Sequence, residues 1–284
     1  MEGQEKYVAY VGTYTHGSSI GIHVYDIDVE EGIMTEREVV PVNNASHMTK
    51  SYNGKYLYSI ADEGVQVLEI QPDGGLKTIN QVDIDGMRGC YLSADKNGRF
   101  LYVGGYHDGK VTVVHTHRDG RLGSVMDGIF HKGLGSVAER NFRPHVSCVI
   151  PTPDSKYLCA VDNGIDQVKI YKVNEKNGKM KLYDILRCKL DSGPRLLTFS
   201  PDGNFAYINA ELTNEVCVYT YNGEGKSPDF EKIQEISVLR DKSTKGSACC
   251  GMKLSPSGKY LYCSTAGENT VAVFKRDPDT ALIY

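Results

Sequence analysis

The 284-residue chain contains no tryptophan and only seven phenylalanines, and it shows no pairing of Gly-His with Trp-Asp. WD40-type repeats are therefore excluded. Positive charge is not in excess either: 32 Lys and Arg stand against 36 Asp and Glu, for a net charge of -4. Nucleic acids and anionic membranes are held by clustered basic surfaces, so neither is expected as a partner. The expected ligand is a small molecule or another protein. No stretch approaches the roughly 18 apolar residues of a membrane span. The opening "MEGQEKYVAYVGTY" lacks the basic region and apolar run of a secretory signal, so a cytoplasmic location is expected. Eight cysteines (Cys90, Cys148, Cys159, Cys188, Cys217, Cys249, Cys250 and Cys263) include no CxxC pair and no Cys/His cluster at zinc spacing. They read as reduced thiols in apolar strands, with Cys249 and Cys250 placed where they could instead touch a ligand. No metal or other cofactor is expected. Helical apolar periodicity over 12 or more residues is also missing, which excludes an α/β chain.

What is present is a repeat. A small polar turn, an aromatic-rich strand, a second polar turn and a β-branched strand recur in "SYNGKYLYSIADEGVQVLEI", "DKNGRFLYVGGYHDGKVTVV", "TPDSKYLCAVDNGIDQVKIYKV", "SPDGNFAYINAELTNEVCVYTY" and "SPSGKYLYCSTAGENTVAVF". The copies begin at Ser51, Asp95, Thr152, Ser200 and Ser255, with spacings of 44, 57, 48 and 55 residues. Units of this length with several short strands each are the signature of a β-propeller, and residues 1–284 are expected to form a single such domain. Asn-Gly, Asp-Gly and Ser-Gly supply the backbone conformations that the tight turns need. The N-terminal "KYVAYVGTYTHGSSIGIHVYDID" has strands without the preceding turn, as expected where strands from one end of a chain complete a blade begun at the other. The last strand pair stops almost at the C-terminus, which implies either six blades or an incomplete last blade.

Turns fix strand register. If Ser200 pairs with Phe205, Arg195 faces Ala210 and lies beside Glu211 at the open end of its hairpin. The same offset sets Ser147 opposite Asp162 with His145 one step beyond, Cys90 opposite Gly105, Ser46 opposite Ala61 and Cys249 opposite Ala266. Propeller ligands bind where inner strands converge at one mouth of the channel, so Arg195, Glu211, His145 and Asp162 are candidates for one site. An ordinary ion pair between Arg195 and Glu211 stays open, as does a purely structural His145. "DNGID", Asp162 to Asp166, suits either a calcium or substrate site or a turn whose carboxylates bond backbone amides. Arg88, Arg143, His107 and His131 are further loop candidates.

"YVGTYT...GIHVYDID", "PHVSCVIPTPDSKYLCAVDNGIDQVKIY", "GPRLLTFSPDGNFAYINAEL" and "LSPSGKYLYCSTAGENTVAVF" together resemble the lactonase family of seven-bladed propellers. That family includes the propeller-type 6-phosphogluconolactonases and the fungal carboxy-cis,cis-muconate lactonizing enzyme. The resemblance implies an all-β, seven-bladed fold with the last blade incomplete in this chain. It implies a metal-free intracellular enzyme of carbohydrate or organic-acid metabolism acting on a lactone. It also places Arg195 and Glu211 in the central cleft. Three positions depart from the family pattern: Ser147 and Leu196 stand where a His is common, and Ala266 where an Arg is. Glu211 is then the expected general base, Arg195 the group for the oxyanion or an anionic substituent, and His145 the proton donor to the leaving oxygen. Asp162, Asp166, Ser147, Cys90 and Arg143 are the expected substrate-binding residues. The alternatives are a non-catalytic propeller that binds a metabolite or protein, and an enzyme for an unphosphorylated lactone. An exposed strand edge at the incomplete blade would also permit a homodimer.

Overall fold

In a computed structural model of the chain, which describes residues 7–62, 64–135, 142–225, 227–241 and 245–284, the repeats become six antiparallel sheets. The first sheet holds β1 (Tyr7–Gly12), β2 (Gly21–Asp28) and β3 (Ile33–Pro41). The second holds β4 (Met48–Lys50), β5 (Tyr56–Ala61), β6 (Gly64–Ile70) and β7 (Leu76–Asp83). The third is built from β8 (Tyr91–Ala94), β9 (Phe100–Gly105), β10 (Lys110–Thr116) and β11 (Leu122–Phe130). In the fourth lie β12 (Val146–Pro151), β13 (Leu158–Asp162), β14 (Gln167–Val173) and β15 (Met180–Arg187), and in the fifth β16 (Pro194–Phe199), β17 (Phe205–Ala210), β18 (Glu215–Asn222) and β19 (Asp229–Ser237). The sixth, of three strands, comprises β20 (Ala248–Leu254), β21 (Tyr260–Ala266) and β22 (Thr270–Lys275). No helix occurs among the described residues, and none is long and apolar enough to cross a membrane.

One local device makes each of the five predicted turns. In four of them a Ser or Thr hydroxyl accepts from the amide five residues on: Ser51 from Tyr56 and Ser200 from Phe205 at 3.0 Å, Thr152 from Tyr157 and Ser255 from Tyr260 at 3.1 Å. In the third sheet Asp95 takes the hydroxyl's place and accepts from Arg99 at 3.2 Å. The fourth residue of every turn is left-handed. Gly54, Gly98, Gly203 and Gly258 occupy that position at φ of 72, 64, 77 and 67°, and Ser155 does so at 58°. Glycine reaches this region without a Cβ penalty, whereas serine does not.

The chain packs as two compact units, Met1–Val103 with Thr112–Met126, and Gly104–Val111 with Asp127–Tyr284. In the first, Ile60, Val65, Val67, Leu92, Leu101 and Val114 form one fully buried cluster, and Ile22, Val42, Leu57 and Leu68 form another. In the second, Tyr207, Val216, Val218, Leu261, Cys263 and Ile283 are buried together. Val216 and Val218 on β18, and Leu261 and Cys263 on β21, alternate with more exposed residues, whereas β5, β6, β9, β10 and β17 are buried on both faces over most of their length, and this burial stabilises the hairpins.

Candidate active site

The hairpin of β16 and β17 keeps the predicted register from its turn as far as Leu196, which pairs with Asn209. There the ladder slips. Pro194, not Arg195, faces Ala210, and Arg195 is the extra residue of a β-bulge. Bulges bend a strand and re-aim one side chain, and the re-aimed guanidinium places Nη1 2.5 Å from Glu211 Oε2. The bulge leaves the Leu196 amide out of the ladder, and Asn209 Oδ1 accepts from it at 2.8 Å. Fixed geometry at Arg195 thus rests on an asparagine that the sequence reading did not single out.

The same slip recurs. Val146, not Ser147, faces Asp162, and Ala248, not Cys249, faces Ala266, so Ser147 and Cys250 are bulge residues too. Gly251, just after the third bulge, donates its amide to Ser264 Oγ at 3.0 Å as Leu196 does to Asn209. The Ser147 hydroxyl donates to the Arg195 carbonyl at 2.7 Å. Its visible role is to brace the backbone of the neighbouring bulge.

Glu211 follows β17 and is 6% exposed; its amide donates to the Gly193 carbonyl at 2.8 Å. Asn163, fully buried, donates through Nδ2 to Glu211 Oε2 at 3.2 Å and to Gly193 O at 3.1 Å. Asn163 is the second residue the sequence reading missed. It lies 11 residues after the start of its repeat, as Glu211 does, so superposing the repeats would have found it.

Asp166 sits at φ 53° and accepts from the amides of Asp191 and Gly193, both at 2.8 Å. It ties down the loop that delivers Arg195. Asp162 is fully buried. Its Oδ1 accepts from the amides of His145 at 2.8 Å and Gly164 at 3.0 Å, and its Oδ2 lies 2.6 Å from His131 Nδ1. Burial pushes the His131 imidazole below its usual range, against the opposing pull of the Asp162 hydrogen bond, and the ring donates its Nδ1 hydrogen bond to the Asp162 carboxylate. Both aspartates therefore act as the turn-bonding alternative describes, from within the protein. Gly164 has no room for a side chain: a Cβ there would lie 1.7 Å from the Arg143 carbonyl.

His145 is buried and stacks on Tyr106, with ring centroids 4.3 Å apart. Its Nδ1 donates to the Tyr106 carbonyl at 2.7 Å, which leaves Nε2 as the nitrogen available for chemistry. Asp162 and Asn163 are adjacent, and one holds His145 while the other holds Glu211. Cys249 is buried beside this assembly: its amide donates to Glu211 O at 3.3 Å, and its Sγ accepts from Asn209 at 3.3 Å. The hydrogen bond with Cys263 is the main cause lowering the Cys249 thiol, and Arg195 adds to it, while Cys263 is raised and retains its proton. Arg143 is exposed with its guanidinium over the Phe142 ring. Cys90 lies in the first unit, half-buried just ahead of β8.

A family model described as "Lactonase, 7-bladed beta-propeller" matches residues 8–283. The chain belongs to this lactonase family. Among its relatives is the 6-phosphogluconolactonase of Bacillus subtilis, 33% identical over 95% of this chain and 78% of that protein. Among solved structures, the periplasmic gluconolactonase of Pseudomonas aeruginosa is 28% identical, with a TM-score of 0.90 over 98% of this chain and 81% of that one. A Lactobacillus plantarum protein is 27% identical with a TM-score of 0.89, covering 99% and 81%. The family's propeller has seven blades, and this chain forms six sheets among its described residues, of which the first and last have three strands.

Proposed function

We propose that this lactonase-family chain, a single propeller domain, hydrolyses a sugar-acid lactone at the Arg195–Glu211 cleft, with 6-phosphogluconolactone as the first substrate to test. The observation that carries the reading is the bulge that turns Arg195 onto the buried Glu211 carboxylate, with Asn163 on the same oxygen. Water must attack the lactone carbonyl, and the charge that develops on its oxygen must be stabilised in a sheltered site. Glu211 takes the proton from that water. Arg195 binds the oxyanion, or the substrate's carboxylate or phosphate, since its planar fork suits all three. His145, when protonated, delivers a proton from Nε2 to the departing ring oxygen. Asn163 and Asp162 position the base and the acid.

The Bacillus subtilis relative supports the phosphorylated substrate, and the Pseudomonas aeruginosa structure supports a second reading, a lactone without the phosphate. Cytoplasmic placement is supported by eight cysteines that all remain thiols. The test follows hydrolysis of freshly generated 6-phosphogluconolactone and of gluconolactone at slightly acidic pH, where spontaneous opening is slow. Glu211→Gln is expected to lower turnover at least ~10²-fold, and Arg195→Ala is expected to abolish activity on whichever lactone the wild type prefers. Wild-type turnover by a folded Glu211→Gln variant would refute the assignment.

A further inference from the structure

The first sheet carries a second constellation of reactive groups, made from "THGSSIGIH" and the strand that follows it. Ser19 lies in the loop between β1 and β2, His23 on β2 and Glu36 on β3. Ser19 Oγ is 2.7 Å from His23 Nε2, and His23 Nδ1 is 2.6 Å from Glu36 Oε2. Tyr25 donates to that same carboxylate oxygen at 3.2 Å. A bulge creates the arrangement here as well. Val24 pairs with Glu38 but Tyr25 with Glu36, so the slip at Arg37 brings Glu36 opposite Tyr25, on the face that His23 shares.

The order of hydrogens follows from the acceptors. A carboxylate accepts only, so His23 Nδ1 carries the proton directed at Glu36, and in the tautomer with a bare Nε2 that nitrogen is the acceptor for the Ser19 hydroxyl. Thr13 Oγ1 lies 2.5 Å from Ser19 Oγ and 2.7 Å from the Gly21 carbonyl; when Ser19 donates to His23, the single Thr13 hydrogen goes to Ser19 Oγ in place of the Gly21 carbonyl. The His23 hydrogen bond is the chief cause holding Glu36 below the usual carboxylate range, with Tyr25 adding to it. Nucleophile, base and orienting carboxylate within these distances are the general signature of an activated serine. Ser19 is half-buried between the exposed Ser18 and Ile20, and the His23 and Glu36 side chains are 19% and 47% exposed, so the group lies at the surface. The amides of Gly17, Ser18 and Ser19 make no hydrogen bond among the described residues. Tyr14 and Ile20, 55% and 54% exposed, are the apolar neighbours of Thr13 and Ser19 in the chain.

We propose that Ser19, His23 and Glu36 form a second hydrolytic site, acting on small uncharged carboxylic esters through an acyl-enzyme. Ser19 Oγ attacks the ester carbonyl while its proton passes to His23 Nε2. The tetrahedral intermediate collapses, the carbon–oxygen bond to the alcohol breaks, and the alcohol leaves with the proton from His23. Water then adds to the acyl-serine by the same route, releasing the carboxylic acid and restoring the hydroxyl. Ser19 and His23 are the catalytic residues, and Glu36 is a positioning residue.

The experiment incubates the intact 284-residue chain with a fluorophosphonate ester and locates the adduct by mass spectrometry. p-Nitrophenyl acetate serves as the turnover substrate. One phosphonyl group on Ser19 is expected on the folded chain and none on the heat-unfolded one. Ser19→Ala should not label, and His23→Gln should label at least ~100-fold more slowly. Glu36→Gln should slow labelling about tenfold or more at an unchanged thermal midpoint, with partial recovery in Glu36→Asp; a merely structural carboxylate would shift the midpoint and leave labelling of the folded fraction alone. An unlabelled Ser19 in folded wild-type protein overturns the proposal, as does label on another residue, or a His23→Gln variant that reacts at the wild-type rate. Because the wild-type adduct is mapped directly, the result stands even where a variant fails to fold.

Discussion

Asp162 offers the sharpest test of how the site is held. Replacing it with alanine removes three acceptor contacts at once, those from the His145 amide, the Gly164 amide and His131 Nδ1, all in buried residues. Leaving a buried donor unpaired costs ~1–3 kcal/mol each. Water entering the vacated space recovers part of this, so a loss of about 3–6 kcal/mol is expected against a total stability of about 5–15 kcal/mol. Asp162→Asn should behave differently. Its amide oxygen can keep both backbone donors, which share Oδ1, and its nitrogen would replace Oδ2 opposite His131. The imidazole must then move its proton to Nε2, a buried atom with no partner among the described residues. One unsatisfied donor replaces three, and the expected loss is ~1–3 kcal/mol. Urea unfolding, followed by circular dichroism, measures both variants by midpoint and slope. A wild-type midpoint for Asp162→Ala at unchanged slope would refute the argument, as would equal losses in the two variants.

Other outcomes follow from the same geometry. Burial holds His131 below the imidazole range, so the unfolded chain takes up this proton at higher pH than the folded one; the stability from the neutral ring is full above ~pH 6.5 and is lost as pH falls towards the folded value. Comparing unfolding free energies at about pH 7.5 and about pH 5.5 should show a smaller loss in His131→Gln than in the wild type, and equal losses would contradict the sign. Ser155→Gly should raise stability by about 0.5–1 kcal/mol, since four sister turns already use glycine at this left-handed position; an unchanged or lower melting temperature would count against it. Gly164→Ala drives a Cβ into the Arg143 carbonyl and should cost more than about 3 kcal/mol, read from the unfolding midpoint, together with lactone hydrolysis.

Local signals made the hairpins legible. The Ser/Thr turns are written in six consecutive residues each, and strand register counted from them is correct from Phe199 opposite Ala206 to Leu196 opposite Asn209. The bulges were not legible, because the freed amides are met by side chains set by pairing rather than propensity, Asn209 for Leu196 and Ser264 for Gly251. The pairing of Arg195 with Glu211 could be anticipated because both flank one hairpin. Asn163 to Glu211 spans 48 residues and His131 to Asp162 spans 31, and no local pattern announces either contact. Asp162 and Asp166 follow the turn-bonding alternative that the sequence offered, and the contacts they and Ser147 make reach residues 14 to 48 positions away as well as near ones, which local sequence does not specify.

The bulge position gives the scaffold an interchangeable socket. It holds a hydroxyl in Ser147, a guanidinium in Arg195 and a thiol in Cys250, while the paired residues on the turn side keep their register in all three hairpins. A mutation at a paired strand position must satisfy neighbours on its own face, whereas one at the socket leaves the ladder pairing on the turn side in place, although at Ser147 it also removes the hydrogen bond that braces the Arg195 carbonyl. The register of each hairpin is thus set from its turn, independently of which side chain fills the socket.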